Sequence, residues 1–136
     1  MDASPAQLGR YELGDVIGRG AMGTVYRAYD SVLDRLLAVK TVHPHLATRE
    51  SVRLRFEREV RTASKLNHPN VVIVYDGGIE NEQPFIAMEL VEGSTLEAVL
   101  ATRRLRLDEA IRIVLALCDA MTYAHGEGVI HRDLKP

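Results

Sequence analysis

Glycines at 18, 20 and 23, a lysine at 40 and the closing stretch His131-Arg132-Asp133-Leu134-Lys135-Pro136 are the residues of this chain whose types and spacing could do chemistry. In Ile17-Gly18-Arg19-Gly20-Ala21-Met22-Gly23-Thr24-Val25 the glycines admit positive φ and leave no Cβ in the way. Backbone N–H groups can then approach phosphate oxygens closely. Dinucleotide sites use the same three glycines, but there the loop opens a helix. Here it opens Thr24–Asp30, which alternates β-branched and aromatic residues with no helix cap, and so reads as a strand. A glycine-bearing hairpin without any ligand would satisfy the same residues, so the loop alone is weak evidence. Lys40 lies in the apolar run Arg35–Val42, after a turn at Ser31–Asp34. An ammonium inside such a strand is costly unless it is paired.

The elements that must position these residues follow from periodicity. A helix is predicted over Arg49–Lys65, where Val52, Phe56, Val60 and Ala63 make one apolar stripe and Asn67 and Pro69 stop it. Glu57 and Glu59 on it are the candidate partners of Lys40, and its arginines 53, 55, 58 and 61 read as a solvated face. Strands are expected at Val71–Tyr75 and Pro84–Leu90, joined through Gly77-Gly78 and a polar turn. Ser94-Thr95-Leu96-Glu97 is a capping box for a short helix from Thr95 to about Ala101. The basic cluster Arg103-Arg104-Leu105-Arg106 is expected to be a solvated connector. Asp108 is the expected cap of a long helix, Glu109–His125, ended by the glycines at 126 and 128. Its apolar residues cover more than half the girth, so it is built to be buried on several sides, and roughly several hundred Å² would otherwise face water.

Taken in order, the glycine loop, strand lysine, helix glutamate, Phe85–Gly93 and His-Arg-Asp-Leu-Lys-Pro resemble the protein kinases, closest to the bacterial Ser/Thr kinases of eukaryotic (Hanks) type. The resemblance implies an α+β, protein kinase-like fold. It would comprise a tail over 1–10, an N-terminal lobe over 11–90 with a five-stranded antiparallel sheet and one helix, a hinge at 91–93, and the start of a helical C-terminal lobe over 94–136. It implies ATP with Mg²⁺, phosphates under Ile17, Gly18, Arg19, Gly20, Ala21, Met22 and Gly23, and adenine between Val25, Ala38 and Met88. The backbone of Glu89 and Val91 would hydrogen-bond the base. Lys40 would grip the phosphates while Glu59, which stands where the family's Arg-Glu places its ion-pair acid, holds it. Asp133 would take or orient the proton of a Ser/Thr hydroxyl on a protein substrate, Lys135 would neutralise the transferring phosphate, and Arg132 would tether an activation loop. His68 and His131 are expected to be structural.

The family's second-metal Asn, its Asp-Phe-Gly, the activation segment and the substrate-docking helices come after Pro136, so no metal ligand is assigned here and turnover by these residues alone is not expected. An inactive ATP-binding or dimerising fragment that regulates a kinase by pairing with it is the alternative. A small-molecule phosphotransferase usually lacks this loop and the Leu-Lys-Pro.

Composition sets limits. The chain has 136 residues, 46% hydrophobic, and a formal net charge of −2. That is one domain's length, about half of a kinase domain, and offers nucleic acid no basic surface. No apolar run reaches the ~18 residues of a membrane span, and no signal-peptide core opens the chain. The single Cys118, expected on a buried helix face, suits a reducing cytoplasm. His43 and His45, flanking Pro44 without acids or cysteines, are expected to be solvent-exposed bystanders.

Overall fold

Alternating strands and tight turns build one antiparallel sheet in the computed structural model, which describes residues 6–136. Its strands are β1 (Ala6–Leu8), β2 (Tyr11–Arg19), β3 (Gly23–Asp30), β4 (Arg35–Val42), β5 (Val74–Glu80) and β6 (Gln83–Met88), in the order β1-β2-β3-β4-β6-β5. The sheet therefore has six strands and not five, and the extra one lies in the expected tail. Gly9, at φ +57°, reverses the chain so that Ala6, Gln7 and Leu8 pair with Leu13, Glu12 and Tyr11. Leu8 is thereby buried. The rest of the tail, 1–5, lies outside the described residues.

The turns have local causes. Asp30 is fully buried, and its carboxylate accepts from the N–H groups of Val32 (3.0 Å) and Leu33 (3.1 Å), which folds β3 back into β4. Asn81 and Glu82 both take positive φ, 49° and 64°, and make the two-residue turn of the β5–β6 hairpin. The expected strand Val71–Tyr75 is thus displaced to Val74–Glu80, with Gly77 and Gly78 inside it and not in the connection. A Cβ on Gly77 would sit 2.5 Å from Val60 Cγ1, so the glycine admits a helix against the strand.

One sheet face carries the main core of Leu8, Tyr11, Ala28, Leu37, Val39, Phe85 and Ala87. At its edge the Tyr11 hydroxyl donates to Asp76 Oδ2 (2.6 Å), and Arg10 joins both Asp76 and the buried Asp30 at 3.4 Å. Burial first, then the bond to Asp76, pushes the Tyr11 phenol up to about 12. An acid whose folded value lies above its unfolded value of about 10 contributes stability below pH 10, which is lost as pH rises toward 12. Chemical denaturation from pH 8 to 12 should show this as a decline of roughly 2 kcal/mol that Tyr11→Phe removes, at the cost of lower stability at pH 8. Equal alkaline slopes for the two proteins would contradict it.

On the opposite face α1 (Pro44–Ala47) and α2 (Glu50–Ala63) cover a second cluster, Val42, Ala47 and Phe56 with Val52, Val60 and Ile86. The predicted stripe of α2 is the one that packs. The short α1 was not expected; Pro44 at its first turn starts it.

The chain divides into two compact units, one running through Lys65 with Ile73–Leu90, the other comprising Leu66–Val72 and Val91–Pro136. The second contains α3 (Leu96–Thr102) and α4 (Leu107–Gly126). Its Leu66–Val72 segment is fastened to α4. The Tyr123 hydroxyl accepts from Asn67 N–H (2.9 Å), His68 pairs with Asp119 (3.2 Å) and stacks on Tyr123, and the Asn70 amide donates to Ala116 O (3.2 Å). His68 is structural, as expected.

Both helix caps shift relative to the sequence reading. Thr95, not Ser94, caps α3, accepting from Ala98 N–H at 3.1 Å. Arg106, not Asp108, is the N-cap of α4; its N–H donates to Glu109 (2.8 Å), which Arg103 also grips with two bonds of 3.0 Å. The Arg103 bond, with that N–H, draws the Glu109 carboxyl down to about 2. Arg103 is therefore an anchor and not merely a solvated connector. On α4 only Ala120 and Ala124 are buried, whereas Leu107, Ile111, Val114, Leu115 and Leu117 are 43–77% exposed. Cys118 is exposed too, against expectation, because the helix face it occupies is uncovered among the described residues.

Candidate functional site

The register of the sheet gathers one group of candidate residues within the first unit. Gly18 pairs with Val25, Val25 with Lys40, Lys40 with Ile86 and Ile86 with Gly77. Directly opposed residues share a face, so this row runs across five strands on the side that α2 covers. The adjacent row, Arg27–Ala38–Met88–Val74, lies on the same face. Val25, Ala38, Lys40 and Met88, far apart in sequence, thus form one patch. Ala38 is buried and the other three are half-buried.

The three loop glycines differ in what the fold asks of them. At Gly23 a Cβ would stand 1.7 Å from the Thr41 carbonyl oxygen, so the β3–β4 ladder itself requires glycine. At Gly18 a Cβ would meet Val25 at an ordinary 3.7 Å, and at Gly20 it would meet nothing within 4 Å. Neither of these two has φ in the left-handed region. The fold alone gives no reason for glycine at either position. Ile17, Arg19, Ala21 and Met22 alternate with them and are exposed.

Among the described residues Lys40 makes no ion pair, with Glu59 or with Glu57. Glu59 is exposed, on the flank of the packed stripe of Val52, Phe56 and Val60. Glu57 lines a cleft with Phe56, Val60, Arg61, Gly77 and Gly78. After β6, the Glu89 N–H donates to Ile73 O (2.8 Å) while its carboxylate accepts from Ile73 N–H (3.3 Å), which leaves the Glu89 carbonyl for a ligand. Val91, in the second unit, is exposed.

A separate group of candidate residues lies in the second unit. Asp133 N–H donates to His131 Nδ1 (3.2 Å), and His131 itself is exposed. Arg132 between them takes φ +67°, a region that costs a non-glycine residue on the order of 1 kcal/mol or more and that concentrates at functional turns. Lys135 Nζ lies 3.5 Å from Asp133 Oδ2, with both side chains in solvent. The arrangement presents a carboxylate and an ammonium together on an exposed, locally strained turn. Among the described residues no three His, Cys, Asp or Glu side chains cluster as a metal site.

One residue of the glycine loop's surroundings escaped the sequence reading. His43 is half-buried and not a bystander, for its Nε2 lies 2.9 Å from the Gly20 carbonyl. The ring stacks on the exposed His45. The signal available in the sequence was its place directly after the Lys40 strand and before Pro44, which ties it to the neighbouring strand end.

A single antiparallel sheet bearing a glycine loop and a strand lysine, helices across one face of it, and a His-Arg-Asp turn after a long helix are the elements of the protein kinase fold. Residues 11–136 match the protein kinase domain, and the chain belongs to that family, in its bacterial serine/threonine branch. A probable serine/threonine-protein kinase of Streptomyces coelicolor is 46% identical over 133 residues, covering 94% of this chain and 20% of that protein. The serine/threonine-protein kinase PrkC of Bacillus subtilis is 43% identical over 129 residues, 94% of this chain and 20% of its own length. The crystal structure of the Mycobacterium tuberculosis PknI kinase domain is similar with a TM-score of 0.84 and 34% identity, over 98% of this chain and 55% of that one. The chain therefore spans about a fifth of these curated relatives and about half of the solved kinase domain.

Proposed function

We propose that these residues supply the nucleotide-binding face and the catalytic turn of a kinase that transfers the γ-phosphoryl group of ATP to serine and threonine hydroxyls of proteins. The observation that carries this reading is that Gly18 and Gly20 both have room for a side chain the fold would tolerate, beside a patch of Val25, Ala38, Lys40 and Met88. Glycines that the fold does not need are accounted for by a ligand that does: phosphate oxygens approach backbone N–H groups most closely where no Cβ intervenes. The apolar part of the patch suits a purine ring, with the free Glu89 carbonyl at its edge.

In this reading Lys40 binds the α/β-phosphates, and Glu59 pairs with it when α2 turns its acid toward the sheet. In the transfer step the hydroxyl oxygen forms a bond to the γ-phosphorus as the bond to the bridging oxygen breaks and ADP leaves. The hydroxyl proton passes to Asp133, and the Lys135 ammonium offsets charge on the phosphoryl oxygens. The family implies magnesium, but the described residues provide no cluster of ligands for it. No helix among the described residues is long and apolar enough to cross a membrane, and ATP as substrate supports a site of action in the cytoplasm.

Gly20→Ala separates binding from folding. It should leave the melting temperature unchanged, because the added methyl meets nothing, yet weaken fluorescent-ADP binding about tenfold, or ~1.4 kcal/mol, where phosphates pass the loop. Unchanged affinity would remove the support for a phosphate site at this loop.

A further inference from the structure

We infer that His43 is a positioning residue for the glycine loop: its imidazole anchors the Gly20 carbonyl and so holds the Ala21 N–H ready for a nucleotide phosphate. The inference rests on the nucleotide reading above and assigns the loop a support that comes from outside it.

His43 is itself held on three counts. Its backbone N–H donates to Met22 O at 2.8 Å, continuing the β3–β4 ladder one step past the Gly23–Val42 pair. Pro44 follows, and a residue before proline is confined to extended backbone, as the φ of −57° and ψ of 139° at His43 attest. The ring lies nearly parallel to that of His45, 14° between planes and 5.7 Å between centroids. From this fixed base Nε2 reaches Gly20 O at 2.9 Å. A carbonyl oxygen only accepts, so Nε2 carries the hydrogen, in the neutral Nε2–H tautomer or in the imidazolium alike.

The consequence follows from peptide geometry. Gly20 N–H already donates to Gly23 O at 2.9 Å, so the loop fixes one polar group of Gly20 and His43 fixes the other. There are no cis peptides among the described residues, and in a planar trans peptide the C=O of one residue and the N–H of the next point in opposite directions. Anchoring Gly20 O on the His43 side therefore turns the Ala21 N–H away from it, unbonded and exposed. Gly20 has no side chain to restrain it and nothing around its Cβ position, so this bond is its restraint from outside the loop. A loop ordered before the ligand arrives loses less conformational freedom on binding.

The test compares His43→Ala and His43→Gln with the natural chain; Gln keeps an Nε2–H donor at about the same reach, and both variants keep the backbone N–H to Met22. Two quantities are read: hydrogen exchange of the Gly20 amide without nucleotide, and affinity for fluorescent ADP. His43→Ala should speed exchange at Gly20 about fivefold or more and weaken ADP binding about three- to fivefold, while His43→Gln restores both. Unaltered exchange in His43→Ala, or no rescue by Gln, would overturn the anchor. Faster exchange with rescue, but no ADP binding by the natural chain, would uphold the anchor and overturn the nucleotide reading instead.

Discussion

Gly23→Ala is expected to cost about 3–5 kcal/mol of folding stability, enough to leave much of the chain unfolded in mild denaturant. The added Cβ would lie 1.7 Å from Thr41 O, 2.8 Å from Thr41 C and 3.2 Å from Val42 Cα, all backbone atoms of β4. No side-chain rotation relieves such a contact, so either the ladder between β3 and β4 opens or the strand ends part. Both Gly23 and Thr24 are buried at that point, and the neighbouring Val42 anchors the cluster under α2. Domains of this size hold only about 5–15 kcal/mol in total. Urea unfolding followed by circular dichroism measures the loss, and a cost under about 1 kcal/mol would show that the two strands are not so close. Set beside the harmless methyl expected at Gly20, the pair distinguishes a glycine the fold requires from one that only a ligand requires.

The second large effect is on turnover. In a chain that continues these 136 residues with the remaining part of a relative's kinase domain, Asp133→Asn and Lys40→Met should each lower phosphate incorporation into a generic protein substrate by about a thousandfold or more. For Asp133→Asn the loss should fall on kcat with KM for ATP nearly unchanged, because the carboxylate acts on the hydroxyl and not on nucleotide binding. Glu59→Gln should remove a large part of the activity and Glu57→Gln little. The reverse ranking would mean that α2 presents the other acid to Lys40. Radiolabelled ATP provides the readout, and full activity of Asp133→Asn would overturn the role given to the turn.

Much of this was legible in the sequence because it is written in short-range patterns. The strand Arg35–Val42 was found to the residue, since its apolar run is buried on both faces at Leu37, Ala38 and Val39. The stripe of α2 was legible for the same reason, through its four-residue spacing. What was missed depends on contacts between distant residues. The β5 strand moved three residues because Gly77 looked like a turn residue, whereas its smallness accommodates Val60 of α2. The sixth strand depends on Gly9 reversing the chain and on Leu8 finding a place in the core. Asp108 looked like the helix cap because nothing local reveals that Glu109 is tied to both Arg103 and the Arg106 N–H. His43 became part of the loop only through a carbonyl 23 residues earlier.

The site residues themselves were named through resemblance to the kinases, and their grouping on one sheet face comes from the strand register. The pairing of Lys40 with Glu59 is a juxtaposition that resemblance supplied and that the described residues do not make.

The central claim, that ATP lies along this face with its phosphates at Lys40, can be measured on the chain itself with an acyl-phosphate derivative of ATP, which acylates an amine held beside its terminal phosphate. The chain has only three lysines, at 40, 65 and 135, so the product is read directly by peptide mass spectrometry. The expected result is acylation concentrated on Lys40, suppressed by excess ATP and reduced by Gly20→Ala. Equal labelling of Lys40 and Lys65 that excess ATP does not suppress would contradict it.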